Sequence, residues 1–198
     1  MIEMKIPKIV ITGGPCAGKS SAMPRIQEEL GKLGYKVLIV SESATDFLTH
    51  GAQYSDPKFQ RYLIEYQLEK ERICEDFARH QEGKTVIILD RGCLDCKAYM
   101  ALDEWSETLR ELHTNEIEIR DSYYAVFHLM STAKSSDLIY TQENNAARFE
   151  SSEEAAIAAD DAVYNVWASH PRRVVIDNYS NFEDKVNKLI GEILNIIE

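Results

Sequence analysis

The chain has no apolar run approaching the ~18 residues that a membrane span needs. Its opening, MIEMKIPKIVITGG, lacks a signal-peptide layout, because the apolar stretch runs directly into glycine. Positive charge is scarce: 22 Lys and Arg against 33 Asp and Glu leave a net charge of −11. So acidic a chain is a poor general binder of DNA or RNA, whose affinity rests on Lys and Arg neutralising phosphates. A local basic pocket for a small phosphorylated ligand is not excluded. Only four cysteines occur, Cys16, Cys74, Cys93 and Cys96. In a chain read as intracellular they do not argue for a disulfide framework. Cys93 and Cys96 form one C-x-x-C, but no second pair or H-x₃₋₅-H completes a zinc site. Buried bystanders are expected there rather than a metal or redox pair. Internal repeats, low-complexity tracts and a Pro/Gly/Ser linker are missing too. These absences predict a cytoplasmic protein with no nucleic-acid partner and no integral membrane contact.

What is present fits one domain over residues 1–198, with ordinary globular fractions of 44% hydrophobic and 28% charged residues. Short apolar runs read as five strands: KIVIT (8–12), YKVLIV (35–40), TVIILD (85–90), YYAVFHLM (123–130) and RVVID (173–177). Helical spacing fills the intervals. It covers the segment after residue 19, with Pro24 expected to bend or fray its first turns. It also covers residues 57–82, as one helix or two, and the tail from Phe182. Strands alternating with helices indicate βαβ units, and nearly all-apolar strands indicate a sheet covered on both faces. The expected fold is therefore α/β: a doubly wound, parallel, five-stranded sheet of the P-loop NTPase type. The stretch 132–169 fits neither face simply and is expected to form a helical lid over the carboxyl edge.

Gly13-Gly14-Pro15-Cys16-Ala17-Gly18-Lys19-Ser20 matches G-x-x-x-x-G-K-[ST], and it lies where that motif must lie, between a strand and a helix. Glycines let successive N–H groups point inward at phosphate oxygens, and the following helix adds its N-terminal partial charge. The sequence therefore predicts a nucleotide site formed by Gly13, Gly14, Pro15, Cys16, Ala17, Gly18, Lys19, Ser20 and Ser21. Lys19 would reach the β- and γ-phosphates, and the Ser20 hydroxyl would ligate Mg²⁺. The expected ligands are ATP, with GTP possible, and Mg²⁺. Asp90-Arg91-Gly92 shows no D-x-x-G spacing, and Asn187-Lys188 is not followed by aspartate, which argues against a small signalling GTPase.

Further candidates lie at strand ends, where open α/β sheets collect ligands. Asp90, closing the apolar run VIILD, is placed to order Mg²⁺, and Arg91 replaces the glutamate that follows it in many ATP-driven motors. A kinase in which Arg91 grips phosphate or acceptor fits this better than a motor; a helix-capping aspartate with a surface arginine is the plainer reading. Glu42 in SES (41–43) could accept the proton of an attacking hydroxyl, with Asp46 as fallback; it could also be a solvated loop acid. Arg148, in QENNAARFESSEEA, could close on the transferring phosphate or merely pair with Glu150 or Glu154, and Arg120 is a weaker alternative. Asn178, after the fifth strand, could read a base or cap the last helix. Tyr54, Tyr62 and Tyr66 could stack a base or belong to the core. Cys16, Cys93 and Cys96 come from neighbouring strand ends and could sense oxidation together.

GGPCAGKSS (13–21), SESATDFL (41–48), VIILDRGCLDCKAYM (86–100) and NNAARFESSEEAAIAADDAVYNVWASHPRRVVIDN (144–178) carry a resemblance covering almost the whole chain. The chain resembles the small P-loop family that includes the kinase-like domain of the bifunctional NAD-biosynthesis regulator and the trpl-translocation-defect protein. That family is often described as an AAA-type ATP-binding domain. The architecture is also similar to nucleoside and nucleoside-monophosphate kinases. Deoxynucleoside kinases place a glutamate base after strand two and an acid–arginine pair after strand three, and Glu42 and Asp90-Arg91 fall on those places. The resemblance implies ATP-dependent phosphoryl transfer to a small hydroxyl-bearing acceptor such as a nucleoside. Other relatives are nucleotide- and lipid-binding proteins, which keeps open a nucleotide-dependent switch with a protein or lipid partner. Cys16 stands where many kinase loops have glycine, and nothing here matches an adenylyltransferase half.

Overall fold

The computed structural model describes residues 6–134 and 152–198. Five strands form one sheet: β1 (Lys8–Thr12), β2 (Lys36–Val40), β3 (Thr85–Asp90), β4 (Ala125–Leu129) and β5 (Arg173–Ile176). Every pairing is parallel, in the order β2–β3–β1–β4–β5. β1 lies at the centre, and successive connections leave it toward opposite edges, which opens a crevice at its carboxyl end.

Strand periodicity sorts the core into two layers. Ile9, Ile11, Val86, Ile88 and Phe127 face α1 (Lys19–Lys32) and α7 (Phe182–Ile197). Val10, Ile87, Leu89 and Val126 face the other layer. That layer holds α3 (Phe59–Arg79), α4 (Leu102–Glu111), α5 (Glu116–Ser122) and α6 (Glu153–Val166), with a short α2 (Ser43–Thr49) at its edge. Val186, Leu189, Ile190 and Ile193 form the inner stripe of α7, each side chain adding about 1.5–3 kcal/mol by leaving water.

The expected doubly wound parallel sheet, with helices on both faces, is present. Residues 57–82 hold one helix rather than two. α1 runs unbroken through Pro24, so its first turns do not fray; Ala22 N–H already bonds Gly18 O, and the packed Ala22, Met23 and Ile26 hold the turn that proline weakens. The lid needs redrawing. Thr132–Lys134 is a single 3₁₀ turn, and residues 135–151 lie outside the described residues. Residues 153–166 are a core helix: Ala156 and Val163 on α6, and Trp167 just after it, are 0% exposed. Their polar outer face hides this in the sequence.

Candidate active site at the carboxyl edge

The loop from Gly13 to Gly18 joins the buried end of β1 to α1. Gly13 has φ +138°, and a Cβ there would lie 2.1 Å from the Leu129 carbonyl oxygen, so no other residue fits. Cys16 has φ +57°, the left-handed region, which accounts for glycine's frequency at that place and costs cysteine roughly 1–2 kcal/mol. The loop is tied down from outside. Lys185 on α7 donates to Ala17 O at 3.0 Å and Met130 O at 2.6 Å. Ser131 and Thr132 donate their hydroxyls to Pro15 O and Cys16 O.

Lys19, in the first turn of α1, folds back so that Nζ donates to Gly13 O (2.9 Å) and Gly14 O (2.8 Å). Burial, with Arg91 nearby, pushes its ammonium down to about 8. Ser20 Oγ donates to Asp90 Oδ2 at 2.9 Å, joining the helix start to the end of β3. Asp90 Oδ1 is buried with no hydrogen-bond partner, and burial raises that carboxyl above its ordinary value. A hydroxyl and a half-used carboxylate side by side are the hard oxygen donors that Mg²⁺ takes. Ser20 and Asp90 therefore fit the predicted metal. Ser21, next along α1, is exposed.

Glu42 and Arg91 meet across the mouth of the loop. Arg91 Nε lies 2.6 Å from Glu42 Oε1, Arg91 Nη1 donates to Gly13 O at 3.3 Å, and Thr45 Oγ1 donates to Glu42 Oε2 at 2.8 Å. Burial works to raise the Glu42 carboxyl, but the charges of Arg91 and Lys19 outweigh it and hold it below its ordinary value. Arg91 itself has φ +73°, a left-handed turn that swings its side chain back across the strand ends. Lys19, Ser20, Glu42, Asp90 and Arg91 thus converge from three strand ends.

Other candidates sit elsewhere. Arg148 lies outside the described residues. Arg120 pairs with Asp121 on α5, which feeds the start of β4, at the edge of the sheet opposite the loop. Asp46 pairs with Lys70 at 2.7 Å. Asn178 gives its amide to Ser131 O at 2.9 Å and accepts from Lys185 at 3.1 Å; the cap of α7 is Asn181 instead. Tyr54 and Tyr66 pack edge-on against Phe59 and Phe47 beside α2 and stay over a third exposed, while Tyr62 points outward. Cys93 and Cys96 are buried, which pushes Cys96 up to about 12 and Cys93 well above its ordinary value, so they are inert thiols rather than sensors. Among the described residues, no three His, Cys, Asp or Glu converge as a metal cluster.

Sequence reasoning did not name three buried residues of the site. Asp95 accepts from Thr12 Oγ1 and Trp167 Nε1, both at 2.7 Å, locking β1, the turn after Gly92 and the end of α6 together. Lys185 and Asp160 hold the loop itself. An inward polar residue on an amphipathic helix was the available clue.

No curated protein matches the sequence. Among solved structures, a thymidylate kinase from Ehrlichia chaffeensis superposes with TM-score 0.62 at 16% identity, covering 97% of this chain and 98% of that one. A deoxyadenosine kinase from M. mycoides with bound dATP superposes with TM-score 0.55 at 16% identity, covering 94% and 99%. These likenesses establish the fold. A model of the AAA domain family AAA_28 matches residues 8–185, and with its strand, glycine loop, Lys19 and Ser20 in place the chain belongs to that family.

Proposed function

We propose that this protein is a small-molecule kinase, transferring the γ-phosphoryl group of ATP to a hydroxyl of a nucleoside-like acceptor. The observation that carries this is the Glu42–Arg91 pair, held within 2.6 Å beside the loop that presents Lys19. A hydrolysing motor has no need of a carboxylate and a guanidinium placed together on the acceptor side. In this reading the loop amides and Lys19 seat the polyphosphate, and Glu42 orients the acceptor hydroxyl. The hydroxyl oxygen bonds to the γ-phosphorus, the bridging P–O bond breaks toward ADP, and the hydroxyl proton passes to Glu42. Arg91 moves its charge onto the equatorial oxygens, an electrostatic contribution suited to a loose transition state. A low-lying Glu42 carboxyl stays ionised at neutral pH and acts chiefly by positioning. Mg²⁺ held by Ser20 and Asp90 would neutralise phosphate charge. The exposed edges of Tyr54 and Tyr66, with Phe47 between α2 and α3, offer an aromatic wall for the acceptor. Arg148 is retained as a candidate for closing over the phosphates, and GTP as an alternative donor. The single-domain organisation and the cytoplasmic setting are part of the same proposal; no helix among the described residues is long and apolar enough to cross a membrane.

The test is ADP release from ATP·Mg²⁺, alone and with a panel of nucleosides, nucleotides and nicotinamide riboside, with Lys19→Ala as blank. Stimulation by one acceptor class is expected. Glu42→Gln should lower that turnover by about 10²–10⁴-fold with nucleotide affinity little changed. Tight nucleotide binding without stimulation by any acceptor would instead favour a nucleotide-dependent binding module.

A further inference from the structure

Asp160 is a carboxylate on the inward stripe of α6, between Ala156 and Val163, and it is 0% exposed. Burying such a charge is costly unless it is paired and hydrogen-bonded, so its partners reveal its role. Oδ1 accepts the Gly14 N–H at 2.6 Å. His128 Nε2, at the end of β4, lies 3.2 Å from the same oxygen, and Lys134 Nζ lies 2.7 Å from Oδ2. The contact is close enough that a Cβ on Gly14 would stand 2.5 Å from the Asp160 Cβ. Burial alone would raise this carboxyl, but the close contacts with His128 and Lys134 and the hydrogen bond from the Gly14 amide outweigh it and hold it well below its ordinary value.

The peptide unit between Gly13 and Gly14 is held at both ends. Its N–H points to Asp160. Its carbonyl, Gly13 O, points the other way and receives Lys19 Nζ at 2.9 Å and Arg91 Nη1 at 3.3 Å. Glycines on both sides leave this peptide free to rotate unless something fixes it. A negative charge at the N–H end also polarises the carbonyl at the other. We propose that Asp160 is a positioning residue: by holding the Gly14 amide it sets the orientation of the Gly13–Gly14 peptide, and through the Gly13 carbonyl it places Lys19 and Arg91. The inference rests on the reading of Lys19 as a phosphate-gripping group.

The experiment compares wild type, Asp160→Asn, Asp160→Ala and Lys19→Ala. ATP·Mg²⁺ affinity is measured by calorimetry on folded protein, and the Gly14 amide resonance is followed in ¹⁵N-labelled protein. Asp160→Ala should weaken ATP binding by about tenfold or more, while Asp160→Asn, which keeps an acceptor oxygen, should restore it to within about threefold. The Gly14 amide proton should shift upfield in Asp160→Asn, because its acceptor is now neutral. A lowered melting temperature with wild-type affinity in Asp160→Ala would make Asp160 merely structural and overturn the proposal. If Asp160→Ala does not fold, an unmoved Gly14 resonance in Asp160→Asn would overturn it. Absence of ATP binding by wild type would sink the kinase reading alone, since the Gly14 resonance still reports on the peptide.

Discussion

Lys19 is buried with its ammonium on the Gly13 and Gly14 carbonyls, and burial pushes that group down to about 8. A polyphosphate beside it favours the charged form and moves its pKa back toward the ordinary lysine value. Binding must therefore take up protons, most at a pH between the free group's lowered value and the ordinary lysine value. Near pH 8 the expected uptake is about half a proton per site, falling at pH 7, where Lys19 is already largely charged. Calorimetry in two buffers of different ionisation enthalpy measures this. Lys185 is also held near 8 by burial, so retained uptake in Lys185→Met assigns the proton to Lys19. At this scale the sequence was legible where a motif names the residue: Lys19, Ser20, Glu42, Asp90 and Arg91 do converge. Asp95, Asp160 and Lys185 were not legible. Each acts through a partner far along the chain, and no local spacing reports such a contact.

The helices differ in how their ends are made, and this shows in what each can lose. α7 starts at Asn181, whose side chain accepts the Asp184 N–H at 2.8 Å, with Glu183 and Asp184 in its first turn. Asn181→Ala should cost about 1 kcal/mol, read as a shift of the urea midpoint without change in slope. The same helix carries Lys185 one turn on, so the loss should also loosen the loop that Lys185 holds. α1 starts differently: its cap is Gly18, at φ +88°, with no side-chain bond, leaving its first N–H groups facing the loop. A polar cap there would compete with a bound phosphate for those donors. Elements were readable from periodicity wherever one face is apolar, as in α3 and α7. α6 misled because its buried stripe is Ala, Asp and Val, which resembles a solvated helix until its neighbours are known.

Across the whole molecule, the charged groups with displaced carboxyls set how the fold responds to acid. Asp160 and Glu42 both sit below their ordinary values. Each contributes stability that is present above the unfolded carboxyl range and lost as pH falls through its lowered folded value. Glu71 is displaced the other way by burial, despite Lys8 beside it, and so favours the fold at low pH. Burial raises Asp90 as well, so the acid limb rests on Asp160, whose displacement is large, and the fold weakens below about pH 4. Urea midpoints between pH 3 and 7 should show this limb, and Asp160→Asn should flatten it. The overall layout was plain from alternating strands and helices, and β1 and β3 are neighbours as expected, while the rest of the strand order came from the structure. That layout bears on synthesis. The phosphate loop is finished early, yet the bonds that shape it come from 146 and 168 positions downstream, at Asp160 and Lys185. A nascent chain carries the complete glycine motif long before it carries a shaped site. Ribosome-stalled chains should capture immobilised ATP only once α7 has cleared the exit tunnel, and capture by chains ending before α6 would contradict this. Under the proposed function, a nascent chain would gain its nucleotide site only after α6 and α7 are in place.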